Sequence, residues 1–327
     1  MIRKIVTVDR IVDIKPIPTA DFIEMVQVRN WKCVAKKGEF EVGDLCVYAE
    51  IDSLFPMEPR YEFLAKNGIK SVEIDGETYR GYRIRTQTFL GQIDQGLALP
   101  FSFFKEDLPT EIGTDITEML GVVKWDLPLY TGMGVMNQFG VFPYFIPKTD
   151  EQRIQNINIS KINGKSWRGF EKYDGTSATY FKYQGEFGVC CHEWQLKDDT
   201  HNLYNDMALR YKLRDVIPEG IAIQGEIVGP GVQGNKQKFN GKRFFLFHVF
   251  NIEKQCYIDW YTDGMFYELD RVPLKHAIVD TDMTIEDYLS LSSGLGKNSE
   301  GIVWSRFSPE LNFGKESFKV INNDYLL

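Results

Sequence analysis

The sequence is poor in cysteine and has no cysteine pair at metal-binding spacing. Its five cysteines, an odd number in 327 residues, include no C-x-x-C pair. A disulfide framework needs paired cysteines and a structural zinc site needs clustered ligands, so neither is expected. Unpaired cysteines are typical of reducing compartments. An intracellular protein is therefore predicted, in the cytoplasm or in an organelle that the sequence does not identify.

Long apolar runs are also missing. No stretch approaches the roughly 20 apolar residues that a helix needs to cross a bilayer. Residues 1–4 pass directly into a strand-like run, without the charged and apolar regions of a signal peptide. We therefore expect no signal peptide and no membrane partner. The oligomeric state stays open, with a monomer as the working expectation.

A surplus of basic residues is absent as well, because the formal net charge is −8 and the pI is about 5.2. Domains that bind nucleic acid are often basic overall, so the charge counts against this class of function. Charges are screened over about 8 Å at physiological salt, so a local basic groove can still bind phosphates in an acidic protein.

Apolar and aromatic residues are plentiful, at 43% and 14% of the chain, and the length suggests two domains. Alternating Ile- and Val-rich segments near the amino terminus predict short strands, which favour a small barrel, with a plain sandwich as the alternative. The expected strands are residues 2–13, a hairpin over 25–37, residues 45–51, and a strand pair formed by residues 82–86 and 96–100. Residues 55–80 are interpreted as a loop and insertion, and residues 106–121 as a helix that closes the domain.

A basic strand interleaved with aromatic residues lies in this part of the chain. Arg80, Arg83 and Arg85 alternate with Tyr79 and Tyr82. Such a strand suits a nucleic-acid backbone with stacked bases. A solvated strand face explains the same pattern equally well.

Residues 170–176 (FEKYDGT) are the centre of the functional interpretation. A lysine amine is nucleophilic only when deprotonated, so its usual pKa of about 10.4 must be lowered by desolvation or cationic neighbours. Lys172 and Asp174 would share one face of an extended segment, where Asp174 could orient the amine or hold a metal-bound water. Gly175 allows a ligand to approach the backbone closely. By itself, the K-x-D-G pattern also fits a surface turn.

Four further stretches follow in order: residues 224–229 (QGEIVG), 244–250 (FFLFHVF), 300–303 (EGIV) and 317–321 (SFKVI). Together with K-x-D-G they resemble motifs I, III, IIIa, IV and V of the covalent nucleotidyltransferases, which include ATP-dependent polynucleotide ligases and capping enzymes. The closer resemblance is to the Naegleria-type RNA ligases, the fifth RNA ligase family. It covers nearly the whole chain and includes residues 148–156 and 224–235.

The resemblance implies an α+β chain with two domains. An OB-like β-barrel that binds nucleic acid is expected at residues 1–123, a linker at 124–147, and an antiparallel-rich nucleotidyltransferase domain at 148–327. Within the latter, residues 201–215 read as helical, and residues 221–228, 243–252, 301–306 and 316–321 read as strands. Thr149 and Gln152 have the spacing of a capping box, which predicts a helix that carries Arg153.

The resemblance also assigns roles to the two lysines of motifs I and V. Lys172 would attack the α-phosphorus of ATP and form a lysyl-adenylate. Lys319 would hold the α-phosphate and, as a nearby cation, lower the pKa of Lys172. A salt-bridged strand lysine is the structural alternative for Lys319.

The carboxylates of the same motifs are expected to bind metal. Asp174, Glu226 and Glu300 would hold Mg²⁺ or Mn²⁺ through water, because Mg²⁺ gives up its hydration shell reluctantly. Glu226 could instead contact the ribose hydroxyls.

The remaining residues implied by the resemblance would contact the nucleotide. The backbone carbonyl of Glu171 would meet the adenine amino group, and Phe247 and Val303 would sandwich the base, although core packing suits Phe247 as well. His192 replaces the arginine of related ligases, and a lone histidine is more often structural. The other expected contacts are Gly175, Lys315 and Arg153. A surface position on a helix is the alternative for Arg153. Arg306 could supply the charge of the lysine that often ends motif IV.

The function implied is that of an ATP-dependent RNA ligase, which joins 3′-hydroxyl and 5′-phosphate ends through a lysyl-AMP and an adenylylated 5′ end. Its expected partner is RNA or a nicked duplex that contains RNA, in RNA repair. Enzymes of the capping or DNA-ligase type are alternatives, but their OB domain follows the nucleotidyltransferase domain. A catalytically silent nucleic-acid-binding protein is another, against which the intact motif residues argue.

Overall fold

The computed structural model describes residues 4–18, 20–74, 77–90, 92–125, 138–279 and 282–327. The chain forms two compact units, Met1–Leu129 with Leu326–Leu327, and Tyr130–Tyr325. This grouping reflects compactness alone, so the domain limits at residues 123 and 148 stay a prediction. Within the described residues, no helix is long and apolar enough to span a bilayer.

The first unit consists mainly of short strands. Strand β3 illustrates the pattern that forms them. Buried Trp31, Cys33 and Ala35 alternate with more exposed residues, so one face of the strand packs on the core and the other faces solvent. The strands are β1 (Val6–Pro16), β2 (Ile23–Val28), β3 (Trp31–Lys36), β4 (Leu45–Ala49), β5 (Ser53–Pro56), β6 (Ile69–Ile74), β7 (Glu77–Arg83), β8 (Gln87–Phe89), β9 (Gln92–Asp94), β10 (Leu97–Pro100) and β11 (Val123–Lys124).

A five-stranded antiparallel sheet curls back on itself in this unit, with the order β10-β4-β1-β2-β3. An irregularity between Ile11 and Asp13 bends the long strand β1, as bulges do in barrels. Gln95 N donates to Lys32 O at 2.8 Å and Val34 N to an Asp94 carboxylate oxygen at 3.0 Å, so the entry to β10 is tied to β3. A second sheet has the order β11-β5-β7-β6, and β8 pairs with β9.

Two expectations for residues 55–86 are wrong. Residues 55–80 contain the 3-10 helix Pro59–Asn67 and the hairpin of β6 and β7, whose largely exposed side chains hide the apolar alternation that signals a strand. Residues 82–86 do not pair with residues 96–100, because β7 lies in the four-stranded sheet and β10 in the five-stranded one.

The helix expected at residues 106–121 is also wrong. The segment forms turns whose backbone groups bond to β1: Gly113 N donates to Val8 O at 2.8 Å, and Ile116 N donates to Val6 O at 3.0 Å. Gly113, with a φ of 86°, breaks the helical path that the side-chain spacing suggested. Backbone pairing with a distant strand therefore outweighs the local pattern.

The second unit contains two antiparallel sheets. The strands are β12 (Gln138–Val141), β13 (Trp167–Lys172), β14 (Thr176–Tyr183), β15 (Glu186–Cys190), β16 (Trp194–Leu196), β17 (Ile221–Val228), β18 (Arg243–Asn251), β19 (Cys256–Ile258), β20 (Leu274–Ile278), β21 (Gly301–Phe307) and β22 (Lys315–Ile321). Their orders are β12-β16-β15-β14-β17-β18-β19 and β20-β13-β21-β22. The helices are α1 (Leu203–Arg210), α2 (Leu213–Val216), α3 (Trp260–Asp263), α4 (Ile285–Ser293) and α5 (Asn323–Leu326).

The elements expected in this unit are largely confirmed. Helix α1 and all but the last residue of α2 lie within residues 201–215, and β17, β18, β21 and β22 occupy the expected segments. Part of the expected linker belongs to a sheet, because β12 pairs with β16.

The capped helix expected from Thr149 is wrong. The backbone is extended up to Arg153, which forms a parallel bridge with Lys319, and only the 3-10 turn Ile154–Asn156 follows. Lys319 N donates to Gln152 O at 2.8 Å. The segment thus satisfies its backbone against β22 instead of forming a helix.

We predict that a methyl group at Gly225 destabilises the second unit. A Cβ there would lie 2.3 Å from the Phe244 ring, which is fully buried, and 2.5 Å from Phe245 O. Gly225→Ala should therefore lower the free energy of unfolding by about 1–3 kcal/mol in chemical denaturation. Gly241→Ala is the matched control: a Cβ at Gly241 meets nothing within 4 Å, so the change should stay below about 1 kcal/mol. Equal effects of the two substitutions would contradict the prediction.

Candidate active site

A cavity of about 200 Å³ is lined by strands from both sheets of the second unit. Strands β14, β17 and β18 contribute from one sheet, and β13, β21 and β22 from the other. The residues on its wall are Thr149, Asp150, Glu151, Phe170, Glu171, Lys172, Tyr173, Ser177, His192, Glu226, Phe247, His248, Val272, Val303, Ser305 and Lys319.

Lys172 is the last residue of β13 and is held by an ion pair. The antiparallel register of β13 with β21 pairs Lys172 with Gly301, which brings Glu300 beside it. The Lys172 Nζ donates to Glu300 Oε1 at 2.6 Å, across 128 residues of sequence. The amine is therefore fixed by strand register at the edge of the cavity.

Three carboxylates determine the protonation of this amine. Burial alone would lower the pKa of Lys172, but Glu300, Glu226 and Asp174 together raise it above its usual value. The expected lowering of the Lys172 pKa is thus wrong for this arrangement. A cation that compensated the negative charge of these carboxylates would lower the pKa of Lys172.

Glu226 shares this cluster and lies next to the K-x-D-G turn. Its Oε1 accepts a hydrogen bond from Gly175 N at 3.1 Å. Burial raises the pKa of Glu226 to about 8, and the Glu300 and Asp174 carboxylates add to this shift while Lys172 opposes it. A Cβ at Gly175 would lie 2.1 Å from Ile227 O, so only glycine lets the turn pack this closely on β17.

Phe247 and Val303 offer two apolar faces to the cavity. The register between β17 and β18 skips Phe247, because Gln224 pairs with His248 and Gly225 with Leu246. Bulges of this kind redirect a side chain, so Phe247 stays half-buried while Leu246 is fully buried. Both residues that were predicted to sandwich adenine therefore line the cavity, and their contact with the base stays a prediction.

Among the described residues, no group of three or more His, Cys, Asp or Glu side chains is arranged to ligate a metal ion directly. Asp174, Glu226 and Glu300 nevertheless lie close enough to act on one amine. Binding through water, as the sequence predicted, is compatible with both observations and stays a prediction.

Comparisons with known proteins agree with this geometry. A family profile described as RNA ligase matches residues 165–321, and one described as an OB-fold domain matches residues 5–101. No curated protein matches the sequence significantly. The solved structure of Naegleria gruberi RNA ligase with PPi is 35% identical, covers 99% of this chain and 98% of its own, and superimposes with a TM-score of 0.87. The chain belongs to the RNA ligase family.

Two further structures of the Naegleria gruberi RNA ligase show the same likeness. A mutant with ATP and Mn has a TM-score of 0.88, and another with AMP and Mn has a TM-score of 0.87. Both are 35% identical over 99% of this chain and 98% of theirs. The expected α+β fold with an amino-terminal OB-like barrel is confirmed for this RNA ligase.

The expected site residues of the RNA ligase fall into two groups. Those on the cavity wall are Lys172, Lys319, Glu226, Glu171, His192, Phe247 and Val303. Gly175 and Glu300 contact the wall residues Glu226 and Lys172 respectively, whereas the Asp174 carboxylate accepts from Tyr325, which is not on the wall. Arg153 is buried in its bridge with Lys319, which replaces the expected helical position. Their catalytic and binding roles stay predictions.

Two of the cavity-wall residues already have side-chain partners. The Glu171 carboxylate forms an ion pair with Lys275 at 3.0 Å and accepts from Ser299 at 3.2 Å. The His192 Nδ1 lies 2.6 Å from a Glu193 carboxylate oxygen. The side chain of His192 is therefore anchored at the wall, which is compatible with either its structural or its binding interpretation.

Lys315 is placed differently from the expected nucleotide contact. Only 8% of its side chain is exposed, and its Nζ donates to Glu151 Oε1 at 3.0 Å and to His248 Nε2 at 2.8 Å. Ser317 also donates to the Glu151 carboxylate. Lys315 therefore pairs with Glu151 without lining the cavity itself, whereas Lys319, four residues further along β22, is on the cavity wall.

Sequence analysis missed Glu151 and His248, although both line the cavity. Burial lowers the pKa of His248 well below its usual value, and the neighbouring Lys315 adds to the shift, so the ring stays neutral. Glu151 stands within residues 148–156, which the family resemblance had included, but a glutamate isolated in a polar segment gives no further signal. His248 is masked by the aromatic run around it.

The three arginines expected to bind nucleic acid do not act as one surface. Arg83 donates to Asp52 Oδ1 at 2.6 Å and stacks 3.6 Å above the Trp125 ring, so its guanidinium already has partners, and its contact with nucleic acid stays a prediction. Arg80 and Arg85 are exposed, and within the described part of the chain neither forms an ion pair. Strand alternation places Arg80 and Arg83 on opposite faces of β7, and Arg85 lies beyond the end of that strand.

We predict that Glu300→Gln lowers the pKa of Lys172. Glu300 is the strongest of the groups that raise this pKa, and its removal lets desolvation dominate. The rate at which an amine-reactive reagent modifies Lys172, followed by mass spectrometry against pH, should therefore reach its midpoint at lower pH. Exposed Lys161 in the same digest is the internal control and should not shift. An unchanged Lys172 midpoint would show that the ion pair does not set the protonation of the amine.

Proposed function

We propose that this protein is an ATP-dependent RNA ligase that joins 3′-hydroxyl and 5′-phosphate ends by way of an adenylylated Lys172. The observation that carries the proposal is the Lys172 amine, held by Glu300 at the edge of a cavity that apolar and cationic side chains complete. The chain shares this architecture over nearly its whole length with a ligase solved with PPi, with ATP and Mn, and with AMP and Mn. ATP is the substrate of lysine adenylation, and PPi and AMP are groups that its reactions release.

The first step is attack of the neutral Lys172 amine on the α-phosphorus of ATP. An N–P bond forms, the bond between the α-phosphorus and the bridging oxygen breaks, and pyrophosphate leaves with the electron pair. The amine loses its proton to the surrounding carboxylates or solvent. Such transfers depend mainly on positioning and on neutralising phosphate charge.

Residues of both sheets would divide this work. Phe247 and Val303 would sandwich the adenine, and Lys319 on the cavity wall would neutralise the α-phosphate. Glu171 precedes the nucleophile on β13, so its backbone carbonyl is the group assigned to the adenine amino group. The backbone of Arg153 pairs with that of Lys319, which supports a phosphate contact for Arg153 as well.

The carboxylate cluster fits a divalent cation. Glu300 Oε2 is buried without a hydrogen-bond partner among the described residues, and hard cations prefer carboxylate oxygen. Asp174, Glu226 and Glu300 would hold Mg²⁺ or Mn²⁺, in part through water. The cation would supply positive charge that neutralises the phosphates. It would also weaken the hold of the carboxylates on the Lys172 proton, which is the change that the amine requires.

The second and third steps complete the ligation. An oxygen of the RNA 5′-phosphate attacks the phosphorus of lysyl-AMP, the N–P bond breaks, and Lys172 regains its amine. The 3′-hydroxyl then attacks the 5′-phosphorus of the adenylylated end, and AMP leaves as the phosphodiester forms.

The first unit would bind the RNA-containing duplex. OB-fold barrels bind nucleic acid through a groove with basic and aromatic residues. Exposed Arg80 and Arg85 are the side chains available for phosphate contacts, whereas Arg83 is committed to Asp52. The family resemblance implies that this binding would serve RNA repair at nicks whose 3′-hydroxyl strand is RNA.

We predict that Lys172→Met abolishes the covalent AMP adduct, because only this amine makes the bond. Incubation with labelled ATP, and with labelled GTP in parallel, followed by a denaturing gel measures the adduct. The wild type should be labelled by ATP in preference to GTP, which separates ligase from capping chemistry. Exposed Lys161→Met is the control and should be labelled normally. An adduct that persists in Lys172→Met would place the nucleophile elsewhere.

We predict that removing two exposed charges from the first unit weakens duplex binding and flattens its salt dependence. In Arg80→Gln/Arg85→Gln the slope of log K against log salt should fall by about 0.9 for each phosphate contact that is lost. Lys36→Gln/Lys37→Gln, a pair of exposed lysines in the same unit, removes equal charge and should leave the slope nearly unchanged. Equal slopes for both double variants would show that binding responds only to net charge.

A further inference from the structure

Asp174 of the K-x-D-G turn has a partner outside the motifs. The hydroxyl of Tyr325, in helix α5, donates a hydrogen bond to Asp174 Oδ2. Tyr325 is buried, with 7% of its surface exposed, so its hydroxyl is held close to this carboxylate. Burial raises the pKa of Tyr325, and the Asp174 and Glu300 carboxylates add to the shift, so the phenol keeps the proton that it donates.

Tyr325 is itself fixed from a second side by Lys236. The Lys236 Nζ donates to the backbone carbonyl of Tyr325 at 2.7 Å and lies 4.1 Å from the centre of its ring. A cation over an aromatic face is attractive, and here it is combined with a charged hydrogen bond to the same residue. Both contacts restrain the position of the tyrosine.

The residue next to Lys236 holds the backbone of the K-x-D-G turn. Gln237 accepts from Asp174 N and donates to Lys172 O, each at 3.4 Å. One loop therefore contacts the nucleophile's backbone directly and the Asp174 carboxylate through Tyr325. Together these contacts connect the segment after β17 to the turn that carries the nucleophile.

The start of α5 is anchored next to Glu300. The side chain of Asn322, which is fully buried, donates to Ser299 O at 3.0 Å, and its backbone N donates to Glu300 O at 2.9 Å. Asp324 N in turn donates to the Asn322 carboxamide at 3.0 Å. Tyr325 thus extends from the segment that presents Glu300 to the carboxylate of Asp174.

Asp174 acts on the reacting group through charge. It stands two residues after Lys172, and the next residue, Gly175, donates its backbone N to Glu226 Oε1 at 3.1 Å, so its carboxylate belongs to the cluster that would hold the cation. An aspartate side chain at the end of a strand can rotate, and a rotation would change its distance from both groups. A fixed hydrogen bond from a buried donor removes that freedom, which is the usual requirement for preorganised charge.

We propose that Tyr325 is a positioning residue for lysine adenylation, which fixes the Asp174 carboxylate beside Lys172 and Glu226 and is held in place by Lys236. This inference rests on the proposed ligase function and deepens it. None of the five motifs contains Tyr325 or Lys236. Tyr325 acts through Asp174, so its loss should slow the chemical step and leave the affinity for ATP nearly intact.

The test is single-turnover adenylation of the full chain at a series of ATP concentrations. Tyr325→Phe keeps the ring beneath Lys236 and removes only the hydroxyl. The maximal rate should fall about 10- to 100-fold, the effect expected for one hydrogen bond to a charged group, while the ATP dissociation constant changes less than about threefold. Thermal unfolding of each variant shows whether the fold is retained.

Tyr211→Phe is the matched control. The Tyr211 hydroxyl donates to Asp270 Oδ2 at 2.6 Å, so this variant also removes a tyrosine–aspartate hydrogen bond from the second unit, but away from the cavity wall. It should adenylate within about threefold of the wild type. A rate for Tyr325→Phe that equals the wild-type rate, or a loss equal to that of Tyr211→Phe, would overturn the inference.

Lys236→Met tests the second half of the proposal. It removes the charge that holds Tyr325, so the maximal rate should fall in the same direction as in Tyr325→Phe, with the ATP dissociation constant again nearly unchanged. A higher dissociation constant at an unchanged maximal rate would instead assign Lys236 to substrate binding and overturn its positioning role. Absence of any AMP adduct in the wild type would refute the proposed function itself, which separates that failure from failure of the inference.

Discussion

The ion pair between Lys172 and Glu300 is the constraint on which the site depends. The partners lie 128 residues apart, and only the ladder between β13 and β21 brings them together. Both side chains are largely but not fully buried, so each charge is stabilised by having the other as its partner. The pairing also keeps Glu300 Oε2 buried and without a hydrogen-bond partner among the described residues. The fold of the smaller sheet thus produces both a fixed amine and a carboxylate oxygen that suits a cation.

This arrangement holds the amine in the wrong protonation state for attack. Three carboxylates raise the pKa of Lys172, although burial works in the opposite direction. Part of the repulsion within the cluster is relieved at Glu226, whose pKa of about 8 means that it carries a proton for much of the time near neutral pH. Binding of a cation and a polyphosphate would rearrange these charges together. In the proposed reaction, activation of the lysine would therefore be coupled to substrate binding and would not be a property of the resting side chain.

Prediction from the sequence succeeded where the structure follows a local residue pattern. It failed where a segment forms backbone hydrogen bonds with a strand that is distant in the sequence. The strands of the second unit follow apolar runs bounded by turns, and the five motifs mark the residues that the two sheets bring to one cavity. Residues 106–121 and the segment from Thr149 have helical spacing, yet both use their backbone groups against a strand far away in sequence. Lys315 and Arg83 look available as cations, but Glu151 and Asp52 neutralise them. Pairing between distant side chains leaves no periodic trace that a single sequence could reveal.

Phe247 shows why the apolar wall of the site could not be predicted from the alternation of apolar and polar residues along a strand. Residues 244–250 are apolar except for His248, so either strand face could be the buried one, and the sequence does not reveal an extra residue in the register. In the structure, a bulge leaves Phe247 without a partner in the strand ladder, so its side chain faces the cavity. The residues on either side of it remain in the core. Bulges of this kind interrupt the strand ladder, and they are common next to active sites, where they redirect a side chain. The same reasoning applies to Gly175, since its missing Cβ lets the nucleophile's turn lie directly on β17. The functional geometry is therefore concentrated where the strands depart from ideal repetition, and the regular strands around it provide the rigidity that holds those departures in place.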